Sequence, residues 1–163
     1  MKQASIIAEF QLVDHFVEEL VVRNSIGILR DEDEKAIKEI SIYGVSAGSF
    51  EEYHAGKLGI SLSFECSKKG NEGEKISVEV KISGEFEARI SETMDADRFK
   101  QMLLGNGIAT LYSISRAVIA TTTAQCLSSG QVRIPMLNVL EYLASHPEKA
   151  EGMSAGKSND DEC

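Results

Sequence analysis

The residues Gly44-Val-Ser-Ala-Gly48 match the G-x-S-x-G pattern of a serine nucleophile that performs acyl transfer. This pattern works where a turn between a strand and a helix projects the serine, with an acid and a histidine supplied later in the chain. His54 and His146 do follow Ser46, but the residues after Gly48 are polar and loop-like rather than helical. The chain is also short for an α/β-hydrolase. Catalysis by Ser46 is therefore a minor alternative, and we expect no enzymatic activity.

The other residue types that bind metals or carry redox chemistry have no spacing that indicates a site. The three histidines lack H-x-x-x-H spacing, and the three cysteines, at 66, 126 and 163, lack C-x-x-C spacing. No phosphate-binding or dinucleotide-binding loop pattern is present. We expect the thiols to be reduced and to pack as small apolar groups or to lie near the end of the chain. The sequence predicts no metal and no cofactor.

The charge of the chain limits its partners. The 163 residues carry a formal net charge of −9 and no basic cluster. Nucleic acids and anionic membrane surfaces both require groups of Lys and Arg, so we expect neither partner. No apolar run approaches the ~18 residues of a spanning helix, and residues 1–16 lack the features of a signal peptide. We expect a cytoplasmic protein without membrane insertion, whose acidic surface favours a basic partner or simply maintains solubility.

The most regular pattern lies between Lys57 and Ile90, where three runs alternate apolar and polar residues. The runs cover 60–65, 76–82 and 86–90. Because successive side chains of a strand point to opposite faces, each run has one apolar face and one polar, mostly acidic face. The polar segment 68–73 and the pair Ser83-Gly84 are expected to form the turns. The pattern predicts an antiparallel meander with one packed face and one solvated face.

Residues 4–23 fit either a helix or a strand. Their apolar positions follow a helical stripe, whereas the β-branched run at 19–23 is typical of a strand. A long bulged strand reconciles the two patterns, because a bulge changes the face that later side chains occupy. We therefore favour a strand. The next segments are expected to be a turn (24–27), a loop of solvated charges (31–35), a strand (38–45) and a loop (48–59).

The pattern changes to a helical period after the meander. Residues 94–104 predict a short crossover with one or two helical turns that ends at Gly105-Asn-Gly107. A long helix is expected from Ile108 to about Leu127, with Gly130 as its C-terminal cap. Its apolar stripe is Ile108, Leu111, Ser115, Ile119 and Thr122. The small side chains of its second half predict either a subunit interface or close packing on the helix's own sheet.

A second, shorter helix is expected to begin at Pro135 and to end before Pro147. Proline is favoured in the first turn of a helix, and apolar residues then recur at Met136, Val139, Leu140 and Leu143. The remainder is small, polar and acidic. We predict one domain at 1–147 and a disordered acidic tail at 148–163.

Several short motifs, in this order, resemble the SecB family of protein-export chaperones over about residues 8–146. The most specific is Gly107–Arg116, which resembles the family's first-helix stretch that ends in a small residue and an arginine. The others are Phe10-Gln-Leu12 at the first strand, Val80–Phe86 at a strand junction, Ser129-Gly130 at the glycine turn and Ile134–Asn138 at the proline step. Their order and near-constant spacing carry the resemblance.

The resemblance implies an α+β fold, in which a four-stranded antiparallel sheet carries a long helix and a second, shorter helix. It also implies assembly as a dimer of dimers and no enzymatic activity. The family holds unfolded or precursor polypeptides in apolar grooves, as a holdase, and keeps them export-competent for delivery to the SecA motor. Such binding is physically reasonable, because an extended client offers backbone groups and spaced apolar side chains to an exposed groove.

Two sets of residues follow from the resemblance, and a third set belongs to the long helix. The client-binding groove candidates are Phe16, Phe86, Leu137, Leu140 and Tyr142, each with ordinary core packing as the alternative. The candidates for an acidic face that contacts SecA are Glu19 and Glu79, with a solvated sheet face as the alternative. If the long helix forms a subunit interface, the candidates are Tyr112, Arg116, Ile119 and Thr122.

The chain departs from the family pattern at three positions. Arg23 stands where the family has an acid at the end of the first strand, and Ile108 and Ser113 replace the first-helix prolines of export members. Arg23 weakens the acidic face, so coupling to SecA is in doubt. Divergent SecB-like proteins include chaperones that protect the antitoxin of a toxin–antitoxin system. A chaperone dedicated to one such partner is the alternative to an export holdase.

Overall fold

A twisted sheet with one helical layer positions the surfaces considered below. The computed structural model describes residues 8–148. The strands are β1 (Phe10–Asn24), β2 (Glu34–Phe50), β3 (Tyr53–Lys68) and β4 (Asn71–Arg89), and the helices are α1 (Ala96–Met102), α2 (Ile108–Cys126) and α3 (Val139–Ser145). All neighbouring strands are antiparallel, in the order β1-β4-β3-β2. The α+β prediction of a four-stranded sheet with a long and a short helix is confirmed.

Strand β4 is one continuous strand, so the predicted turn at Ser83-Gly84 is wrong. Its core face alternates without interruption through Ile82, Gly84 and Phe86, and Gly84 only lacks the side chain. A Cβ atom on Gly84 would lie 2.9 Å from Cδ2 of Leu111 on α2. Glycine is needed here because the helix lies close against the sheet.

Strand β1 confirms the expectation of a long bulged strand and excludes the helical alternative for Phe10–Asn24. Its register against β4 shifts between Leu12 and Asp14 and again between Val17 and Glu19. Each bulge changes which residues face the helices, which is why the sequence pattern fits no single period. Residues 4–7 of the predicted strand lie outside the described residues.

The hairpin of β2 and β3 replaces two predicted loops. The segment 48–59 belongs to the two strands and their tight turn at Glu51-Glu52, and β2 already begins at Glu34. The glycines of this segment have packing reasons. A Cβ atom on Gly56 would lie 2.9 Å from Cδ2 of Leu103, and one on Gly59 would lie 2.5 Å from the ring of Tyr43.

The helical layer is continuous from Ala96 to Cys126, so the predicted stop at Gly105-Asn-Gly107 is wrong. Residues Leu103–Gly107 form a π-helical turn instead of a loop. Asp95 is the N-cap of this run, and its side chain accepts a hydrogen bond from the backbone N–H of Arg98 at 2.7 Å. By length and composition this helix could cross a membrane, but its sheet-facing side is buried, as in the core helix of a globular protein.

Helix α2 ends at Cys126, and Gly130 does not cap it. Gly130 adopts a φ of 88° in the following connection, where a Cβ atom would lie 3.2 Å from the carbonyl oxygen of Leu29. The buried threonine at the end of α2 is Thr123, whereas Thr122 is only half-buried. The C-cap is therefore Leu127 instead of Gly130, and the buried stripe ends at Thr123 instead of Thr122.

The segment 128–138, here called the strap, is extended and lies along α2. Three side chains of α2 bind its backbone: Thr123 Oγ1 accepts from the N–H of Val132 (2.8 Å), Arg116 Nε donates to the carbonyl of Ile134 (2.7 Å) and the Tyr112 hydroxyl donates to the carbonyl of Pro135 (2.8 Å). Because of the strap, α3 begins at Val139 rather than at Pro135, with Asn138 as its N-cap. Of the predicted tail, residues 149–163 lie outside the described residues.

Candidate functional site

Four apolar side chains are exposed along β1, an edge strand of the sheet. This β1 patch consists of Val13, Phe16, Val17 and Leu20. Phe16 is 59% exposed and pairs with Ser83, on the face of the sheet that carries no helix, whereas Val17 pairs with Ile82 on the helical side. The bulges therefore place apolar side chains on both faces of the sheet at this edge. The outer backbone groups of β1 have no strand partner among the described residues.

A second apolar surface lies on the strap and α3. Met136 is 72% exposed and Leu140 is 76% exposed, and these two residues form what is called the strap patch. Leu137 is half-buried against the core. Tyr142 is also half-buried, and its hydroxyl donates a hydrogen bond of 2.8 Å to the carbonyl of Ile40 on β2. Tyr142 thus fixes α3 to the other edge of the sheet.

The five groove candidates do not gather on one surface. Phe16 lies on β1 and Leu140 on α3, at opposite edges of the sheet. Phe86 is 1% exposed and its ring stacks on Phe10 with 5.2 Å between ring centroids. The structure therefore places Phe86 in the core, which was the alternative considered for it. Of the five candidates, Phe16 and Leu140 are exposed, on two separate apolar surfaces, and the sequence had assigned Met136, which lies beside Leu140 in the strap patch, to a helix.

The two acids of the predicted acidic face carry ion pairs with neighbouring strands. Glu19 lies 3.0 Å from Nζ of Lys81, and Glu79 lies 3.1 Å from a guanidinium nitrogen of Arg23. The hydrogen bond that the Lys81 ammonium donates to the Glu19 carboxylate raises the pKa of Lys81. All four side chains are about half-exposed, so these pairs are weak and can exchange. The cation at Arg23 nevertheless neutralises Glu79 in the isolated chain.

The same face contains a cross-sheet contact that the sequence analysis missed. The ring of Tyr43 lies over Gly59, and its hydroxyl donates a 3.0 Å hydrogen bond to the carboxylate of Glu18. Burial and the nearby carboxylate raise the pKa of Tyr43 to about 12. Because Tyr43 is on β2 and Glu18 on β1, this bond connects the two edge strands across the sheet. No local pattern signals a contact between residues so distant in sequence.

The G-x-S-x-G match does not form a nucleophile site. Ser46 lies within β2, paired with Lys57, and no helix follows it. The buried ring of His54 instead bonds Ser49 Oγ through Nδ1 (2.7 Å) and the carbonyl of Met94 through Nε2 (3.1 Å). A backbone carbonyl therefore occupies the place that a triad carboxylate would take. Within residues 8–148 no group of three metal-ligating side chains is found.

The four interface candidates on α2 make contacts within the chain. Tyr112 and Arg116 bind the strap, and Ile119 is fully buried in the core. Thr122 is half-buried and remains partly accessible. Close packing of α2 on its own sheet is therefore observed, and a subunit interface stays a prediction.

Comparisons with known proteins support the fold. No protein-family model matches the chain, and no curated protein matches its sequence. A solved structure does match: the Mycobacterium tuberculosis SecB-like chaperone Rv1957, in complex with a ChAD peptide from the Rv1956 HigA1 antitoxin. The TM-score is 0.52 at 8% sequence identity, over 80% of this chain and 91% of that chain. The chain therefore has the fold of a SecB-like chaperone.

Proposed function

We propose that this protein is a divergent SecB-like chaperone, which holds non-native polypeptides on exposed apolar surface and makes or breaks no bond. The observation that carries the proposal is the pair of apolar patches, on β1 and on the strap, presented by a SecB-like fold. Contiguous exposed apolar groups on a protein otherwise covered by charge indicate an interaction surface. Sites for catalysis would instead bring polar groups together in a cleft.

The size of the apolar side chains explains why the client should be extended. Burying one exposed large apolar side chain contributes about 1.5–3 kcal/mol. Association itself costs at least about 4 kcal/mol in lost freedom of motion, so one anchor is not sufficient. An unfolded chain engages several anchors at once and also pairs its backbone with the open edge of β1.

Aggregation of a chemically unfolded client tests this proposal directly. The protein should delay aggregation, and the double variant Phe16→Ser, Leu140→Ser should bind the client at least about a hundredfold more weakly, because it loses two anchors of about 1.5 kcal/mol or more each. The matched control is Ile28→Ser, which removes an equally exposed apolar group outside both patches. A wild-type protein that leaves aggregation unchanged would contradict the proposal. Ester hydrolysis abolished by Ser46→Ala would support an enzyme instead.

The first specific proposal is that the protein lies in the cytoplasm and delivers export-competent clients to a SecA-type motor. It rests on Glu19 and Glu79, which offer carboxylates to basic segments once their weak ion pairs exchange. Glu79→Lys should then weaken binding to SecA, and Arg23→Glu should strengthen it. If Glu79→Lys leaves binding unchanged, docking on this face is refuted while client holding is unaffected.

A chaperone dedicated to one partner, such as an antitoxin, is the second form. Two observations favour it: the matching structure contains an antitoxin peptide, and Arg23 neutralises an acid of the face proposed for SecA. The neighbouring genes distinguish the two forms at once, as secretion genes or as a toxin–antitoxin pair. Competition between one tight peptide and a general unfolded client provides the biochemical equivalent.

Assembly as a dimer of dimers is also proposed, through the β1 edge or the small side chains of α2. The open backbone of β1 and its apolar groups would pair with a second copy. Sedimentation equilibrium measures the state. If assembly covers Phe16, clients depend on the strap patch, and only Leu140→Ser weakens holding. Hydrogen exchange along β1 shows whether that edge is covered.

A further inference from the structure

A cavity of about 310 Å³ lies where the connection between β1 and β2 meets the strap. It is lined by Leu29, Arg30, Asp31, Lys35, Gly130, Gln131 and Arg133. Three of these residues are cations and one is an acid, whereas the whole chain has a net charge of −9. This cationic pocket is therefore a local reversal of the protein's charge.

Backbone contacts hold the two walls of the pocket together. The N–H of Leu29 donates to the carbonyl of Ser129 (3.3 Å), and the N–H of Ser128 donates to the carbonyl of Gly27 (2.8 Å). On the first wall, the buried Asp33 carboxylate accepts from the backbone N–H of Arg30 at 2.7 Å, which lowers the pKa of Asp33. The pocket is thus formed by ordered backbone rather than by free loops.

The three cations of the pocket outnumber Asp31, the one acid that lines it with them. Among residues 8–148, Lys35 and Arg133 form no ion pair, and Arg30 has a long contact of 3.8 Å to Glu32 and a charge attraction to Asp33. The Gln131 amide, oriented with its oxygen toward Arg133, accepts from the guanidinium at 3.0 Å and holds it without cancelling its charge. Like charges in one pocket repel, and a carboxylate between them relieves that repulsion. The fork of N–H groups on arginine also matches a carboxylate in two-point contact.

We propose that the cationic pocket binds the carboxylate of an acidic residue in the client polypeptide. This inference rests on the proposed function and adds a charge requirement to the client. The basis is that each wall of the pocket leads to an apolar side chain. Along the strap, Arg133 of the pocket is followed by the exposed Met136, and along β2, Lys35 is followed by Ile37. Ile37 and Tyr142 line a separate cavity of about 290 Å³. An extended client therefore meets an exposed apolar side chain within about 10 Å of Arg133 along the strap.

The test uses two peptides that differ in one residue. Both carry spaced apolar residues, and one has a Glu where the other has Gln. The wild-type protein should bind the Glu peptide about five to ten times more tightly, as measured by fluorescence anisotropy, and added salt should reduce this preference. Arg133→Gln should abolish the preference. Lys100→Gln, which removes the same charge from an exposed site on α1, should retain it.

A second experiment reverses the charge at position 133 and on the peptide. Arg133→Glu should favour a Lys peptide over the Glu peptide. Equal binding of the Glu and Gln peptides by the wild type, or a preference that survives Arg133→Gln, overturns the carboxylate site and leaves the proposed function intact. If neither peptide binds, both proposals fail. If inorganic phosphate alone raises the unfolding midpoint while the two peptides bind equally, the pocket serves a free anion, and the client assignment is wrong.

Discussion

Replacement of Gly84 by alanine tests how α2 is seated on the sheet. The new Cβ atom would lie 2.9 Å from Leu111 Cδ2, 3.1 Å from Leu12 Cδ1 and 3.1 Å from Phe86 Cε2. Leu111 and Phe86 are fully buried, so neither moves without displacing the core around it. Overpacking of this kind costs about 1–3 kcal/mol, and the lower unfolded-state entropy of alanine returns about 0.4–1 kcal/mol. We expect a net destabilisation of about 1–2 kcal/mol.

Urea unfolding followed by circular dichroism measures this change through the midpoint at constant slope. The matched control is Gly105→Ala in the π-helical turn, where a Cβ atom meets nothing within 4 Å. Alanine is about 1 kcal/mol better than glycine inside a helix, so this variant should be stabilised. If Gly84→Ala is as stable as the wild type, α2 does not approach β4 as closely as described, and the explanation of Gly84 is refuted.

Three further substitutions test single contacts. Thr123→Val leaves the buried N–H of Val132 without an acceptor, so it should destabilise the protein by about 1–3 kcal/mol and speed hydrogen exchange at Val132; unchanged exchange would contradict the strap contact. A spectrophotometric titration of the wild type should show one tyrosine that ionises near pH 12, and this transition should be absent from Tyr43→Phe. Because that pKa is raised on folding, the stability it provides is present below pH 10 and is lost as the pH rises toward 12, so both proteins should converge there. Asp33→Asn should destabilise at neutral pH, and since the pKa of Asp33 is lowered from 3.8, the difference should disappear as the pH falls below that value; a constant difference would refute the role of the carboxylate.

The sheet was predictable where side chains alternate without interruption. The pattern at 76–82 determines one face of β4, and the mixed pattern of Phe10–Asn24 is explained by bulges, as expected. Two of the failures in the sheet involve glycine. Gly84 and Gly59 were read as turn or loop residues because sequence shows only the missing side chain. The partner that needs the space, Leu111 or Tyr43, is distant in the chain.

The candidate site was predictable in chemistry more than in position. Exposed apolar groups were expected at Phe16 and Leu140, and the structure exposes both. The strap was missed because Pro135 favours a helix start locally, whereas hydrogen bonds from α2 keep the strap extended as far as Asn138. The cationic pocket was missed because Lys35 and Arg133 are brought together only by the fold.

The hydrogen bonds from α2 hold the strap in place mainly through its backbone, whereas client binding would use its outward side chains. Thr123, Arg116 and Tyr112 all bind peptide groups: two carbonyls, which every residue type supplies, and one N–H, which every residue type except proline supplies. The side chain of Arg133 contacts Gln131 rather than α2, and of the Met136 side chain only the sulfur contacts Arg116. A lineage of such proteins is therefore able to exchange one recognition surface for another, residue by residue, while its melting temperature remains nearly constant.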